Sequence, residues 1–155
     1  MLNAIVREVK PKGQVRRAPR SIWPQFCRSI TTGAAFVSRF DDTAAFLAWV
    51  DSFDIDVGHR IDLAQRIADG VYGVGFALAC DFLKEMGCLN YAKPDVHLRE
   101  LFQGLRLVQK SATDQHVFRA ITRVAEHQGV TPYAVDCFCQ SKREPFDDQK
   151  GNHFG

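Results

Sequence analysis

The chain has 155 residues, of which 46% are apolar and 25% charged, and its formal net charge is +2. This composition is that of an ordinary globular domain and excludes a chain that is disordered throughout. A domain of this length buries roughly 70% of the surface of its unfolded chain, which is enough for a core without disulfide bonds. No apolar run approaches the roughly 18 residues of a membrane-spanning helix, and no apolar signal core opens the chain. We therefore expect a cytoplasmic protein that does not enter a membrane.

The five cysteines indicate neither a disulfide framework nor a metal site. Their number is odd, and no Cys-x-x-Cys pair or Cys/His ligand spacing occurs in the sequence. We expect reduced thiols and no bound zinc or iron–sulfur cluster. Cys80 and Cys88 are interpreted as small apolar core residues.

Charge is distributed unevenly along the chain. Residues 1–28 contain seven basic residues and one acidic residue, a net charge of +6, whereas the remaining 127 residues carry −4. Three prolines and a glycine in the same stretch disfavour a helix, so the sequence predicts a basic N-terminal arm over residues 1–30. Such an arm can release counterions from the phosphates of a nucleic acid, although a solvated tail explains the same composition.

Beyond Thr31 the apolar residues recur at helical spacing. Asp42 is placed to cap a first helix that ends within residues 54–58. A second helix carries its apolar stripe over residues 61–71, and a third carries one over residues 76–86 before a glycine stops it.

The second half of the chain predicts three more helices. They are one capped by Asp95 that runs to about Gly104, one over about residues 114–128, and one that starts at Pro132 behind Thr131. The only hint of a strand is a weak alternation at residues 4–6. The sequence therefore predicts an all-α domain, compact and multi-helical, over residues 31–139, followed by a polar tail over residues 140–155.

The turn between the second and third of these helices carries a glycine motif, Val-Tyr-Gly-Val-Gly-Phe-Ala-Leu-Ala over residues 71–79. Gly73 and Gly75 permit a positive φ and a close approach of another molecule to the backbone. The N–H groups of the turn and of the next helix can then face an anion, for which phosphate is the natural choice. A plain turn between two helices explains the glycines as well. No strand precedes them and no third glycine follows, so a dinucleotide-binding loop is not predicted.

A second motif, Ala-Lys-Pro-Asp-Val-His-Leu over residues 92–98, places Asp95 at the start of a helix. The helix dipole and the first N–H groups hold its carboxylate there. A fixed anion of this kind can stabilise a sugar oxocarbenium ion or orient the water that attacks it. A helix cap that contributes about 1 kcal/mol explains the same residue. Lys93 and Arg99 flank Asp95 and are candidate phosphate contacts, or else solvated charges.

Together the two motifs resemble a known family. A helix, a Gly-Val-Gly hairpin and a second helix with Ala79 are followed, sixteen residues beyond that alanine, by Asp95 in a Pro-Asp-x-His string. This order resembles the helix-hairpin-helix, Gly/Pro-rich loop, Asp core of the base-excision DNA glycosylase superfamily, most clearly over residues 67–102. The string at Asp95 is particularly similar to that of the 8-oxoguanine branch.

The resemblance assigns roles to residues of this sequence. It implies that Gly73, Val74 and Gly75 contact the DNA backbone and that Asp95 is the catalytic carboxylate. It also implies no cofactor other than a monovalent metal ion at the hairpin carbonyls. Bifunctional members carry a lysine where this chain has Ala77, so the resemblance implies hydrolysis by water rather than a Schiff base.

The chain departs from the family in other ways. It lacks the four-cysteine cluster of several branches, and it is short for a family whose substrate cleft lies between two lobes. The base pocket, the residue that fills the gap left by a flipped base and the base itself are not assigned.

We expect a monofunctional DNA glycosylase-like protein that hydrolyses the N-glycosidic bond of a damaged or mismatched base in double-stranded DNA, acting as a monomer. The alternative is a non-catalytic helix-hairpin-helix module that binds nucleic acid, and a helical interaction protein without a nucleic-acid role is a third reading.

Overall fold

A computed structural model describes residues 2–10 and 12–141 of the chain. Those residues form eight α-helices and no strand, which confirms the predicted all-α class. The helices are α1 (Leu2–Val9), α2 (Ile22–Val37), α3 (Thr43–Asp51), α4 (Val57–Gly70), α5 (Phe76–Glu85), α6 (Val96–Gly104), α7 (Asp114–Gln128) and α8 (Pro132–Ser141). None of these helices has both the length and the apolar character that a membrane span requires.

The N-terminal region corrects the sequence prediction. Residues 4–6, a weak strand by sequence, lie in α1, and α2 begins nine residues before Thr31. Pro24 is tolerated in α2 because it lies in the first turn, where a backbone N–H has no acceptor within the helix. The predicted boundary at residue 30 falls inside α2, so a helix-free arm over residues 1–30 was wrong.

The chain divides into two compact units between Leu83 and Lys84, near the end of α5. In the first unit, α2, α3 and the residues that follow each of them build a cluster of linked aromatic rings whose centroids lie 5.2–6.2 Å apart. Its members are Phe36, Phe40, Phe46, Trp49 and Phe53. The predicted cap of α3 is confirmed, since the Asp42 carboxylate accepts the Ala45 N–H at 2.7 Å.

The second unit contains α6, α7 and α8, and all three were predicted with these starting points. Leu98 and Phe102 of α6 pack against Val117 and Ile121 of α7 in its core. Of the predicted polar tail, residues 140 and 141 belong to α8, and residues 142–155 lie outside the described part of the chain.

Candidate nucleic-acid interface

The glycine hairpin between α4 and α5 lies in the first unit. Gly73 has a φ of +79°, in the left-handed region that a residue without a Cβ atom permits. The Val74 N–H donates to the Val71 carbonyl at 3.1 Å and closes the turn. Gly75, which directly precedes α5, does not have a positive φ, so only the first glycine of the pair uses this freedom. A Cβ added at Gly75 meets no atom within 4 Å, so this backbone faces open space.

Helix α2 holds the hairpin in place through side chains that the sequence motif does not contain. The Thr32 hydroxyl accepts the Tyr72 N–H at 2.9 Å and donates to the Arg28 carbonyl at 2.8 Å. A Cβ added at Gly73 would lie 3.0 Å from the Ser29 hydroxyl oxygen, so glycine permits the close packing of the hairpin on α2. The conformation of the hairpin is therefore fixed by tertiary contacts as well as by its glycines.

Arg28 adds a positive charge to this surface. Its guanidinium carbon lies 4.0 Å from the centroid of the Tyr72 ring, a cation–π distance, and its side chain is exposed. Because stacking occupies the face of the guanidinium, its N–H groups remain at the edge, where a phosphate can bind. By sequence alone Arg28 was one more charge of the basic N-terminal region; the structure brings it to the hairpin.

The resemblance implies a monovalent ion at the hairpin carbonyls, and these carbonyls keep acceptor capacity for one. The Val71 and Gly75 carbonyls each accept one N–H, from Val74 and Ala79, and a carbonyl oxygen has a second lone pair for a cation. Oxygen donors without a carboxylate or a soft ligand favour a hard ion of low charge over a transition metal. Among the described residues, no group of three or more His, Cys, Asp or Glu side chains could hold another metal.

Asp95 lies in the second unit, as the cap of α6. Its Oδ1 accepts the Leu98 N–H at 3.0 Å, and its own N–H donates to the Lys93 carbonyl at 2.8 Å. The residue is half-buried, and Pro94 beside it is buried. These contacts hold the carboxylate at the positive end of the helix dipole, where a negative charge is stabilised.

The loop before Asp95 is held by Asp136, a residue that sequence reasoning missed. The Asp136 side chain is fully buried, and its carboxylate accepts hydrogen bonds from Lys84 Nζ (3.2 Å), the Lys93 N–H (3.0 Å) and Gln140 Nε2 (2.6 Å). This buried carboxylate holds Lys84, Gln140 and the backbone of Lys93 in place, because each of them would lose a buried hydrogen bond if it moved away. The available signal was helical spacing, since Asp136 lies four residues after the buried Pro132 and shares its face of α8.

The two flanking cations of the Asp95 motif have different surroundings. Lys93 is half-buried, and its N–H is the group bound by Asp136. The Arg99 guanidinium forms an ion pair with Asp114 at the start of α7, so its charge is largely neutralised. Lys93, Asp95 and Arg99 thus come together in one segment of the second unit, whereas the hairpin glycines belong to the first.

A groove between α6, α7 and α8 has a volume of about 550 Å³ and mainly apolar walls, which include Leu105, Leu107 and Phe138. The groove is large enough for a small ligand. Asp95 is not one of its lining residues, and a second pocket in the first unit does not include Asp95 either.

No family model, curated protein or solved structure matches this chain. The function must therefore be inferred from the hairpin, the Asp95 segment and the contacts that position them.

Proposed function

We propose that this protein binds the backbone of double-stranded DNA through the hairpin and uses Asp95 to hydrolyse the N-glycosidic bond of a damaged or mismatched base. The observation that carries the proposal is the helix pair α4 and α5 around a left-handed Gly73, followed in the chain by a carboxylate fixed at the start of α6. The proposal includes a monomeric state and a cytoplasmic location.

The binding half of the proposal depends on electrostatics at the hairpin. The N–H groups at the start of α5 and the Arg28 guanidinium both favour a phosphate oxygen, and the open space at Gly75 allows a close approach. When bound, a monovalent cation at the hairpin carbonyls supplies further positive charge beside the phosphate.

The chemical half depends on Asp95. A base must leave the helical stack before its C1′ atom is accessible. As the C1′–N bond breaks, positive charge develops on the sugar, and the Asp95 carboxylate stabilises that charge. Water adds its oxygen to C1′ and gives up a proton, the base leaves with the bonding electrons and is protonated, and an abasic sugar remains. Ala77 offers no amine, so no Schiff base forms on that residue.

A non-catalytic binding module is the second candidate, and one observation favours it. The Asp95 carboxylate already serves as the cap of α6 through its bond to the Leu98 N–H, which is a sufficient structural role for an aspartate at this position.

The binding half is tested with Gly75→Asp. Aspartate is a good residue to precede a helix, so the free energy of unfolding should not fall, yet its charge should repel phosphate and weaken duplex binding at least about tenfold. The matched control is Thr43→Asp, which adds the same charge at the exposed first position of α3. Equal duplex affinity of the two variants, measured by fluorescence anisotropy, would remove the hairpin from the interface.

The chemical half is tested with duplexes that carry uracil, alkylated, oxidised or mismatched bases. We expect at least one duplex to acquire sites that break only after alkali, and no covalent adduct to be trapped by borohydride. If the wild-type protein binds these duplexes and releases no base from any of them, the binding module is the correct account.

A further inference from the structure

A pocket of about 500 Å³ lies in the first unit, between the end of α2, α3 and the end of α4. Three aromatic rings, two arginines, one aspartate and a glycine line it, and neither the hairpin nor Asp95 contributes to it. Its volume lies in the range of pockets that hold small ligands. The mixture of flat apolar surface and guanidinium groups distinguishes it from an ordinary gap between helices.

The aromatic walls are held in fixed positions. Phe36 is buried beneath the pocket, whereas Phe40 and Trp49 are half-exposed, with their ring centroids 5.2 Å apart. A Cβ added at Gly70 would lie 2.4 Å from the Phe36 ring, so glycine allows that ring to lie directly against α4. The two half-exposed ring planes are inclined by 46° to each other, so a flat ligand can stack on one ring and contact the other with its edge.

The charged groups surround this surface. The Arg39 guanidinium carbon lies 5.0 Å from the centroid of Phe36, and stacking of this kind leaves its edge N–H groups available to an anion. Arg66 forms an ion pair with Asp62 at 2.8 Å, so Arg39 contributes the greater share of the positive charge. The Asp69 carboxylate accepts Gln65 Nε2 at 2.7 Å and is an acceptor suited to an amino group.

We propose that this pocket binds one nucleotide, with its base against Phe40 and Trp49 and its phosphate on Arg39. A planar base can stack on one of these rings with its edge against the other, and stacking on aromatic side chains is the usual way in which an unpaired base is bound. The guanidinium matches the phosphate, and Asp69 can accept the amino group of the base. The nucleotide can be a free mononucleotide or one unit of a single strand. The inference does not depend on the proposed glycosylase activity, because the residues are different.

The test uses the fluorescence of Trp49. The chain has two tryptophans, so Trp23→Phe leaves Trp49 as the only reporter. This protein is titrated with dAMP, adenosine, inorganic phosphate and a single-stranded oligonucleotide. We expect quenching by dAMP or by the strand, and weaker binding of adenosine and of phosphate than of dAMP.

Saturation by dAMP identifies a free nucleotide as a ligand, and quenching by the strand alone identifies a single strand. If neither dAMP nor the strand quenches the fluorescence at millimolar concentration, the proposal is wrong. If phosphate binds as tightly as dAMP, the base does not stack on the aromatic rings.

A variant pair ties the signal to the pocket. Arg39→Gln should weaken binding of the nucleotide about tenfold, because a charge-assisted hydrogen bond is removed. The control Arg119→Gln removes an equal charge from the exposed surface of α7 and should leave the affinity unchanged. Both variants must retain the helical circular dichroism of the parent protein. Equal affinities in the two variants would show that the nucleotide binds elsewhere.

Discussion

We expect the buried ion pair of Lys84 and Asp136 to stabilise the second unit. The two side chains are 8% and 0% exposed, and they are joined at 3.2 Å. Asp136→Leu leaves the Lys84 ammonium with a more distant carboxylate, Glu85 at 3.8 Å, and removes the carboxylate that accepts the Lys93 N–H. Lys84→Met instead removes the ammonium that compensates the charge of the buried carboxylate.

Removing one member of a buried ion pair usually costs about 3–5 kcal/mol, because the other charge is no longer compensated. We therefore expect Asp136→Leu to lower the free energy of unfolding by about this amount. The double variant Lys84→Met/Asp136→Leu removes both charges, and leucine keeps the branched shape of the aspartate side chain. It should lie within about 2 kcal/mol of the wild type, since the remaining deficit is the hydrogen bonds that the Lys93 N–H and Gln140 Nε2 donate to Asp136.

The assay is urea unfolding followed by far-ultraviolet circular dichroism. Both tryptophans lie in the first unit, so their fluorescence does not report on the second unit, to which this pair belongs. A coupling energy above about 2 kcal/mol in the double-mutant cycle is expected. A decrease of less than about 1 kcal/mol in Asp136→Leu would contradict this expectation, because a buried ammonium that loses its nearer carboxylate should destabilise the fold by more than that.

Three further predictions concern other parts of the chain. Gly73→Ala and the control Gly87→Ala both place alanine at a positive φ and should each lower the free energy of unfolding by about 1–2 kcal/mol, but only Gly73→Ala should weaken duplex binding in anisotropy. Deleting residues 1–20 removes six basic residues. The slope of log affinity against log salt concentration should then decrease in magnitude by about 0.9 for every phosphate that these residues bind. An unchanged slope would exclude them from the interface. Burial, together with the charge of a neighbouring aspartate, raises the pKa of the Cys139 thiol. At pH 8 iodoacetamide should therefore modify Cys139 more slowly than the exposed Cys137, and the two rates can be measured by mass spectrometry of the peptides. Equal rates in the folded protein would contradict the burial of Cys139.

The helices that the sequence predicted well are those with local signals. Asp42, Asp95 and Thr131 cap helices through contacts within three residues, and the three- and four-residue apolar spacing identifies the buried faces. Helix α2 was not predicted, because the prolines before residue 25 were interpreted by composition alone. Their effect depends on position, and Pro24 lies in the one turn that tolerates it.

The candidate site was predictable only in part. The motif indicated that Gly73 and Gly75 can take a positive φ. Which of the two does so depends on how the turn closes, and in the structure it is Gly73. The supports of the site are long-range contacts: Thr32 bonds the Tyr72 backbone 40 residues away, and Asp136 bonds that of Lys93 43 residues away. Periodicity and capping rules describe neighbours in the sequence, so they contain no information about such pairs.

The most direct test of the account is the rate of base release by wild type and Asp95→Asn under single-turnover conditions, on whichever duplex of the panel the wild type opens. Asparagine can still cap α6, so stability should fall by no more than about 1 kcal/mol and duplex binding should persist. The account predicts that the rate falls at least about 100-fold, because the charge that stabilises the developing sugar cation is gone. A full rate of base release in folded Asp95→Asn would contradict the assignment of Asp95 as the catalytic carboxylate.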